Sequence, residues 1–240
     1  DPGEIAVLYR SHFHSMEVQM ELTRRRIPFR LTSGPRFFEQ AHIKDVAAFM
    51  KAAINPADRV AFERMAMLAP GIGPKAAENL WKQSTGALGT PADFRALHAA
   101  TKPPRKSTSA WTQMIHILEE LAPGGSPMKP ESMIRSVREA FYDDYLRVKY
   151  PNAENRVEDL GTFQSYAAEF ESAELFLAEL ALLGDTETGA RERDDRSEPR
   201  VTLSSVHQAK GLEWDTVFVI WLSDGMFPGR RSLDDTSALE

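Results

Sequence analysis

The residues best suited to chemistry lie in the segment VTLSSVHQAKGLEWDTVFVIWLSDGMFP, which spans residues 201–228. Two β-rich runs in this segment flank a polar loop that contains His207, Lys210 and Glu213. Ligands usually bind to loops at the carboxyl ends of the strands of α/β sheets, so these side chains could contact a phosphate and ribose hydroxyls. A catalytic triad is disfavoured because no nucleophile motif accompanies them. A zinc site is disfavoured because His207 has no second His or Cys at ligand spacing.

A second candidate site is the glycine-containing turn LAPGIGPKAAENL. Gly71 and Gly73 permit a tight turn, and Pro74 is suited to the first turn of the helix that follows. Free N–H groups at the start of a helix can hold a phosphate, and Lys75 adds a positive charge beside them. The pattern indicates either a helix-hairpin-helix contact with DNA or a plain turn between two helices.

Two nucleotide-binding fingerprints can be tested directly. The sequence G-x-x-x-x-G-K-[ST] does not occur in the chain, so these residues have no Walker A loop for a triphosphate. Residues 71–76 match G-x-G-x-x-A, but a helical stripe and Pro70 precede the match where a dinucleotide site needs a strand. Dinucleotide binding is therefore disfavoured.

The strongest local positive charge lies in residues 24–38, which contain five arginines and no acidic residue. In a chain with a net charge of −6, such a run is typical of a contact with a nucleic-acid backbone. The alternative is a solvated helix end, because cations favour helix C-termini. From this run we select Arg36, on charge alone, as a candidate duplex contact.

The elements that must position these residues follow from the apolar periodicity. Residues 5–9 and 27–31 are predicted strands, and residues 14–25 between them have the spacing of an amphipathic helix. Together they predict a βαβ unit. Residues 34–184 show helical periodicity alone, and the strand pattern returns after residue 200. The sequence therefore predicts an α/β domain that is interrupted by a large helical insertion.

Composition limits the remaining possibilities. The chain has 240 residues and no cysteine, which excludes disulfides, cysteine metal sites and thiol nucleophiles. The longest apolar run, Val217 to Leu222, is far short of the roughly 20 residues that span a bilayer. No secretory signal pattern is present, so we expect a cytoplasmic, nucleoid-associated protein without a membrane partner. Residues 185–199 carry dense charge and are predicted to be a flexible linker.

Five segments of the chain carry a resemblance to a known family. The run TLSSVHQAKGLEWDTVFVI with the later DGMFP resembles motif V, and IAVLYRSHFHSMEVQMELTRRRIPFRL resembles a segment of subdomain 2A. GPRFFEQAHIKDVAAFMKAAINPADRVAFERM resembles the opening of subdomain 2B, and LAPGIGPKAAENL resembles its GIG hairpin. ENRVEDLGTF resembles a later 2B segment, with Asp159 where Asn is usual. The family is the UvrD/PcrA/Rep-type superfamily 1 DNA helicases.

The resemblance implies a fold and an activity. These helicases couple ATP hydrolysis to 3′-to-5′ movement on single-stranded DNA, with ATP between two RecA-like domains, 1A and 2A. The implied fold class is α/β: a partial RecA-like parallel sheet, interrupted by a large all-helical inserted subdomain. The resemblance places residues 1–33 and 198–240 in 2A and residues 34–197 in the 2B insertion. Walker A, Walker B and motif VI are absent from these residues, so the chain is expected to be inactive alone.

The resemblance also implies ligands and site residues. ATP and Mg²⁺ are the implied cofactors of the intact helicase, with none expected on this chain alone. The implied partners are single-stranded and duplex DNA, the missing domain 1A, and repair or replication proteins. The ATP-binding residues are Glu213 at the ribose, with Lys210 and Gly211 shaping its loop. The residues expected to contact single-stranded DNA are Arg10, His207 and His12, which stands where the family usually has Asn. The residues expected to contact duplex DNA are Lys44, Gly71, Ile72, Gly73, Lys75 and Arg36.

Two other functions are compatible with parts of the pattern. One is an ATP-independent DNA-binding or interaction module that uses the helix-hairpin-helix, against which the motif V string argues. The other is a nuclease-fused recombination helicase subunit of the same superfamily. The reading frame on both sides of these residues would distinguish the three functions.

Overall fold

A computed structural model of the chain describes residues 1–10, 12–32, 37–85, 93–181 and 199–223. The chain divides into two compact units. The first consists of Asp1–Glu39 with Leu182–Glu240, and the second is Gln40–Ala181. The assignment of these units to subdomains 2A and 2B stays a prediction.

The first unit is built on a four-stranded sheet with the strand order β2-β3-β1-β4, in which every pairing is parallel. The strands are β1 (Ile5–Tyr9), β2 (Phe29–Leu31), β3 (Val201–Ser205) and β4 (Thr216–Val219). The two ends of the chain thus contribute two strands each to one sheet, and the helical residues lie between them in sequence. This arrangement confirms the predicted fold class.

One helix of the first unit packs against the sheet. A 3₁₀ turn at His12–Ser15 leads into α1 (Met16–Arg24), within the predicted 14–25. Val18 and Leu22 of α1 are four residues apart and pack against the apolar cluster of the sheet. The buried members of that cluster are Val7, Tyr9, Phe29, Val201 and Leu203.

The second unit is helical throughout its described residues. Its first four helices are α2 (Ala41–Ile54), α3 (Arg59–Ala66), α4 (Pro74–Ser84) and α5 (Phe94–Ala100). The next four are α6 (Thr108–Leu121), α7 (Pro130–Val137), α8 (Asp143–Lys149) and α9 (Ala153–Ala167). A turn of π-helix, Arg138–Tyr142, joins α7 to α8, and residues 173–181 are also helical. The predicted run of helices alone is therefore confirmed across the described part of this unit.

Helix α2 is the centre of the second unit. It packs against α3, α6, α7 and α9, and ten of its 14 residues are buried. The helical periodicity of the sequence predicts one apolar face made of Ile43, Val46, Ala47, Met50 and Ile54. The first four are buried and Ile54, the last residue of the helix, is partly buried. A helix that is buried on most sides must also bury its polar side chains, and α2 carries two, His42 and Asp45.

Asp45 is the acceptor of a buried polar network. Arg64 on α3 donates from Nε to Asp45 Oδ1 at 2.7 Å, and the hydroxyl of Tyr142 donates to Oδ2 at 2.6 Å. Burial, and then the Asp45 carboxylate, raise the pKa of Tyr142 well above its usual value, so this hydroxyl stays a donor. The carboxylate thereby ties three elements of the helical unit together.

His42 forms a second network from the preceding turn of the same helix. The guanidinium of Arg156 donates to His42 Nδ1 at 3.1 Å, and His42 Nε2 lies 3.0 Å from Asp159 Oδ2. Because a guanidinium only donates, Nδ1 must be the acceptor, which places the proton of the neutral ring on Nε2, facing Asp159. Arg156 also stacks on the ring of Tyr150, 4.0 Å from its centroid. Asp159, which stands where the family usually has Asn, therefore has a defined partner.

Candidate functional site

Two residues predicted to act together meet at the carboxyl edge of the sheet. Arg10 directly follows β1, and His207 lies two residues beyond the end of β3. Arg10 Nη1 is 3.3 Å from His207 Nδ1, and both side chains are exposed. Because strands β1 and β3 are neighbours and parallel, their carboxyl ends bring these side chains together across 197 positions of sequence. The pair presents a guanidinium and an imidazole to solvent, and a guanidinium is a strong hydrogen-bond donor to a phosphate.

The third residue expected near this pair is His12. Its backbone lies in the 3₁₀ turn that follows β1. Its side chain lies outside the described part of the structure, so its predicted contact stays a prediction.

The loop after β3 turns tightly before it presents Glu213. The N–H groups of Gln208 and Ala209 both donate to Ser205 O at 3.0 Å, and Gly211 has a φ of +84°. A left-handed φ of this kind is readily adopted by glycine, which explains the residue type at this position. Lys210 and Glu213 are exposed on either side of Gly211.

The carboxylate of Glu213 is open to a ligand. Among the described residues it forms no hydrogen bond or ion pair, which suits an acceptor for ribose hydroxyls. No cluster of three or more His, Cys, Asp or Glu side chains able to hold a metal occurs within the described ranges. The exposed Glu213 carboxylate has the chemistry of an acceptor for the sugar of a nucleotide.

A feature of the same sheet edge that sequence reasoning missed is Trp221. This residue follows β4 with a φ of +60°, which is uncommon for a non-glycine residue. Its indole N–H donates to the backbone oxygen of His14 at 3.0 Å, and its ring stacks on that of His14 at 5.7 Å. Burial, and then Arg10, lower the pKa of His14, so this imidazole is neutral at pH 7. No sequence signal separated Trp221 from the apolar strand residues before it.

The glycine-containing turn joins α3 to α4 as predicted. Ile72 N–H donates to Ala69 O at 3.1 Å, Gly71 has a φ of +82°, and the Ile72 side chain is buried. Gly73 is the N-cap of α4 and Pro74 its first residue, so no side chain caps the helix. The first-turn amides therefore remain available beside the exposed Lys75. This geometry suits a bound phosphate and equally suits a simple turn.

The other two candidate duplex contacts are Lys44 and Arg36. Lys44 is exposed on α2, which packs against α3, whereas the turn begins α4. Arg36 lies outside the described residues. Lys75 belongs to the turn itself, whereas Lys44 lies on a different helix.

The arginine run is less available than the sequence suggested. Arg24 and Arg25 both form ion pairs with Glu21 of the same helix, and these arginines lower the pKa of that carboxyl. Arg30 donates from Nε to Thr202 Oγ1 at 3.1 Å. Glu21 offsets one of the two positive charges of Arg24 and Arg25, which favours the alternative of a solvated helix end for these two arginines.

The chain is similar to known proteins along nearly its whole length. The family model of the UvrD-like helicase C-terminal domain matches residues 1–94 and 104–240. Because this match covers nearly the whole chain, it assigns the chain to a class of protein: it is part of a DNA helicase.

No helix of the described residues is both long and apolar enough to cross a membrane.

The chain belongs to the UvrD-like helicase C-terminal domain family. It is 27% identical to the ATP-dependent DNA helicase PcrA of Bacillus subtilis and 29% identical to DNA helicase II of Haemophilus influenzae, with 99% of the chain covered and 34% of each relative. It is also 29% identical to the ATP-dependent DNA helicase UvrD1 of Mycobacterium bovis, with the same coverage. The chain thus spans about a third of the length of these curated relatives.

Proposed function

We propose that the chain forms the C-terminal part of an ATP-dependent 3′-to-5′ DNA helicase and supplies single-stranded DNA, ATP-ribose and duplex contacts. The observation that carries this proposal is the Arg10–His207 pair, which lies at the carboxyl edge of a parallel sheet. His207 also belongs to the loop that carries Glu213, six residues later. That edge is where α/β sheets bind ligands. In this proposal the helical unit is the duplex-facing insertion.

The ATP contact is proposed to be shared with the missing domain 1A. Bound ATP and Mg²⁺ supply the phosphoryl transfer, and Glu213 orients the nucleotide through its ribose. Transfer also requires a phosphate cradle, and the sequence contains no Walker A loop that would supply one. The chain alone is therefore proposed to be inactive, acting with domain 1A and with repair or replication proteins at the nucleoid.

The Arg10→Ala substitution tests the single-stranded DNA contact. In the full-length helicase we expect the affinity for an oligothymidylate to fall about ten-fold or more, because hydrogen bonds to charged groups contribute about 1.5–3 kcal/mol. Fluorescence anisotropy would measure the affinity. The control is Arg135→Ala, which removes an exposed arginine on α7 that pairs with Glu131. Equal affinities for the two variants would contradict the proposed role.

The duplex contact is proposed to be made through phosphates and not bases. Lys44→Ala and Lys75→Ala should each weaken binding of a hairpin duplex for all sequences alike. Each should also flatten the slope of log affinity against log salt by about one unit, because each neutralised phosphate contributes about −0.9. Titrations of fluorescent hairpin duplexes at several salt concentrations would measure this. Binding that survives loss of both lysines would show that the turn is only structural.

A further inference from the structure

A second segment lies against the hairpin helix α4. The N–H of Lys102 donates to Gln83 Oε1 at 2.6 Å, near the end of α4. At the other end, a Cβ on Gly71 would lie 2.7 Å from Ser107 Oγ. Residues 102–107, which we name the basic segment, therefore run alongside α4 from its last turn back to the hairpin. Helix α4 has 11 residues and extends about 16 Å, and the basic segment ends in a 3₁₀ turn at Arg105–Ser107.

The basic segment carries unpaired positive charge. Lys102, Arg105 and Lys106 are exposed and, like Lys75, have no carboxylate within ion-pair distance among the described residues. Other cations on α3, α4 and α5 do have acidic partners. In that order, Arg59 pairs with Glu63, Lys82 with Glu78, and Arg95 with Glu119. Lys75 lies near enough to Glu78 to contribute to the lowered pKa of that carboxyl, so the three cations of the basic segment are the ones left without an acidic partner among the described residues. They stand out in a chain whose net charge is −6.

The junction of the basic segment with the hairpin also contains an unsatisfied polar group. Ser107 is fully buried, and its Oγ has no hydrogen-bond partner in the described structure. The hydroxyl faces Gly71, directly before the uncapped first turn of α4. Because this hydroxyl is buried, it marks the close approach of the basic segment to Gly71 and is not itself exposed to a ligand.

We propose that the basic segment and the hairpin form one continuous surface for the phosphate backbone of duplex DNA. The hairpin amides and Lys75 hold one phosphate, and Lys102, Arg105 and Lys106 neutralise the phosphates that follow on the same strand. One DNA strand carries a charge about every 3.4 Å of helix axis, so a surface of about 16 Å faces about five phosphates. This inference rests on the proposed duplex contact of the hairpin and extends it to a second, separately testable segment.

The test uses the 240-residue chain with the triple substitution K102A/R105A/K106A. Fluorescence anisotropy with a labelled hairpin duplex, repeated from about 50 to 200 mM KCl, gives the salt slope. Three lost phosphate contacts should flatten that slope by about 2.7 units and lower the affinity at least ten-fold. The matched control is K129A/R135A/R147A, which removes the same charge from exposed side chains of the helical unit that already have acidic partners.

The outcomes separate this inference from the proposed function. If Lys75→Ala flattens the slope while the triple variant behaves like its control, the inference is wrong and the hairpin contact stands. If neither differs from the control, the proposed duplex contact itself fails. If the triple variant alone loses affinity, the continuous surface is overturned. An equal loss of affinity for a single-stranded oligonucleotide would overturn the assignment to duplex DNA.

Discussion

Replacing Asp45 with alanine should lower the free energy of unfolding of the helical unit by about 3–5 kcal/mol. The substitution removes an acceptor shared by Arg64 and Tyr142, so the buried hydroxyl of Tyr142 loses its partner and the guanidinium of Arg64 keeps, among its described partners, only its bond to Ala41 O. Such a loss is more costly than the lost bonds alone, because the remaining groups stay desolvated. Urea unfolding of the 240-residue chain, followed by the helical circular dichroism signal, would measure the change.

Two further variants make the Asp45 result specific. Tyr142→Phe removes one donor and leaves the Asp45–Arg64 pair, so it should cost less, about 1–3 kcal/mol. Asp144→Ala removes an exposed carboxylate on α8 that pairs with Arg147, and should cost less than about 1 kcal/mol. A cost for Asp45→Ala no larger than that for Asp144→Ala would show that the network does not stabilise the unit.

The second large effect concerns Glu213→Gln in the full-length helicase. Glutamine keeps the size of the side chain and one acceptor oxygen but loses the charge that strengthens hydrogen bonds from ribose hydroxyls. Since such bonds contribute about 1.5–3 kcal/mol, nucleotide affinity or its coupling to DNA should fall about ten-fold or more. ATP hydrolysis measured over a range of ATP concentrations, with and without DNA, reports the apparent nucleotide affinity and its coupling to DNA.

The control for Glu213 lies in the same loop. Asp215→Asn removes an equal charge from an exposed side chain two residues later, so it tests for a general electrostatic effect. Kinetics that are unchanged in Glu213→Gln, or changed equally in both variants, would contradict the ribose contact.

Local patterns in the sequence account for the helices and strands and for where they begin and end. Apolar runs predicted the strands, the spacing from Ile43 to Met50 predicted the buried face of α2, and Pro74 marked the first turn of α4. The loop with His207 and Glu213 was predicted because strand ends and polar residues adjoin there. Each of these signals depends on neighbours within a few positions.

The contacts between distant segments were not predictable. His42 and Asp159 are 117 positions apart, and Asp45 and Tyr142 are 97 apart. Periodicity shows which face of a helix is buried, but it does not show which helix covers that face or where a buried polar side chain finds its partner. The ion pairs of Arg24 and Arg25 were missed for a simpler reason, since Glu21 lies just outside the run of arginines.

The strand order sets the sequence in which the chain can fold during synthesis. Strand β3 lies between β1 and β2, so these first two strands have no pairing with each other. A ribosome that adds about 5–20 residues per second needs roughly 10–40 s to pass from β1 to β3. In that interval the helical residues, whose contacts are more local, can fold first. Until β3 is made, the segments of β1 and β2 therefore lack their sheet partner, and unpaired strands of this kind are prone to pair with other chains.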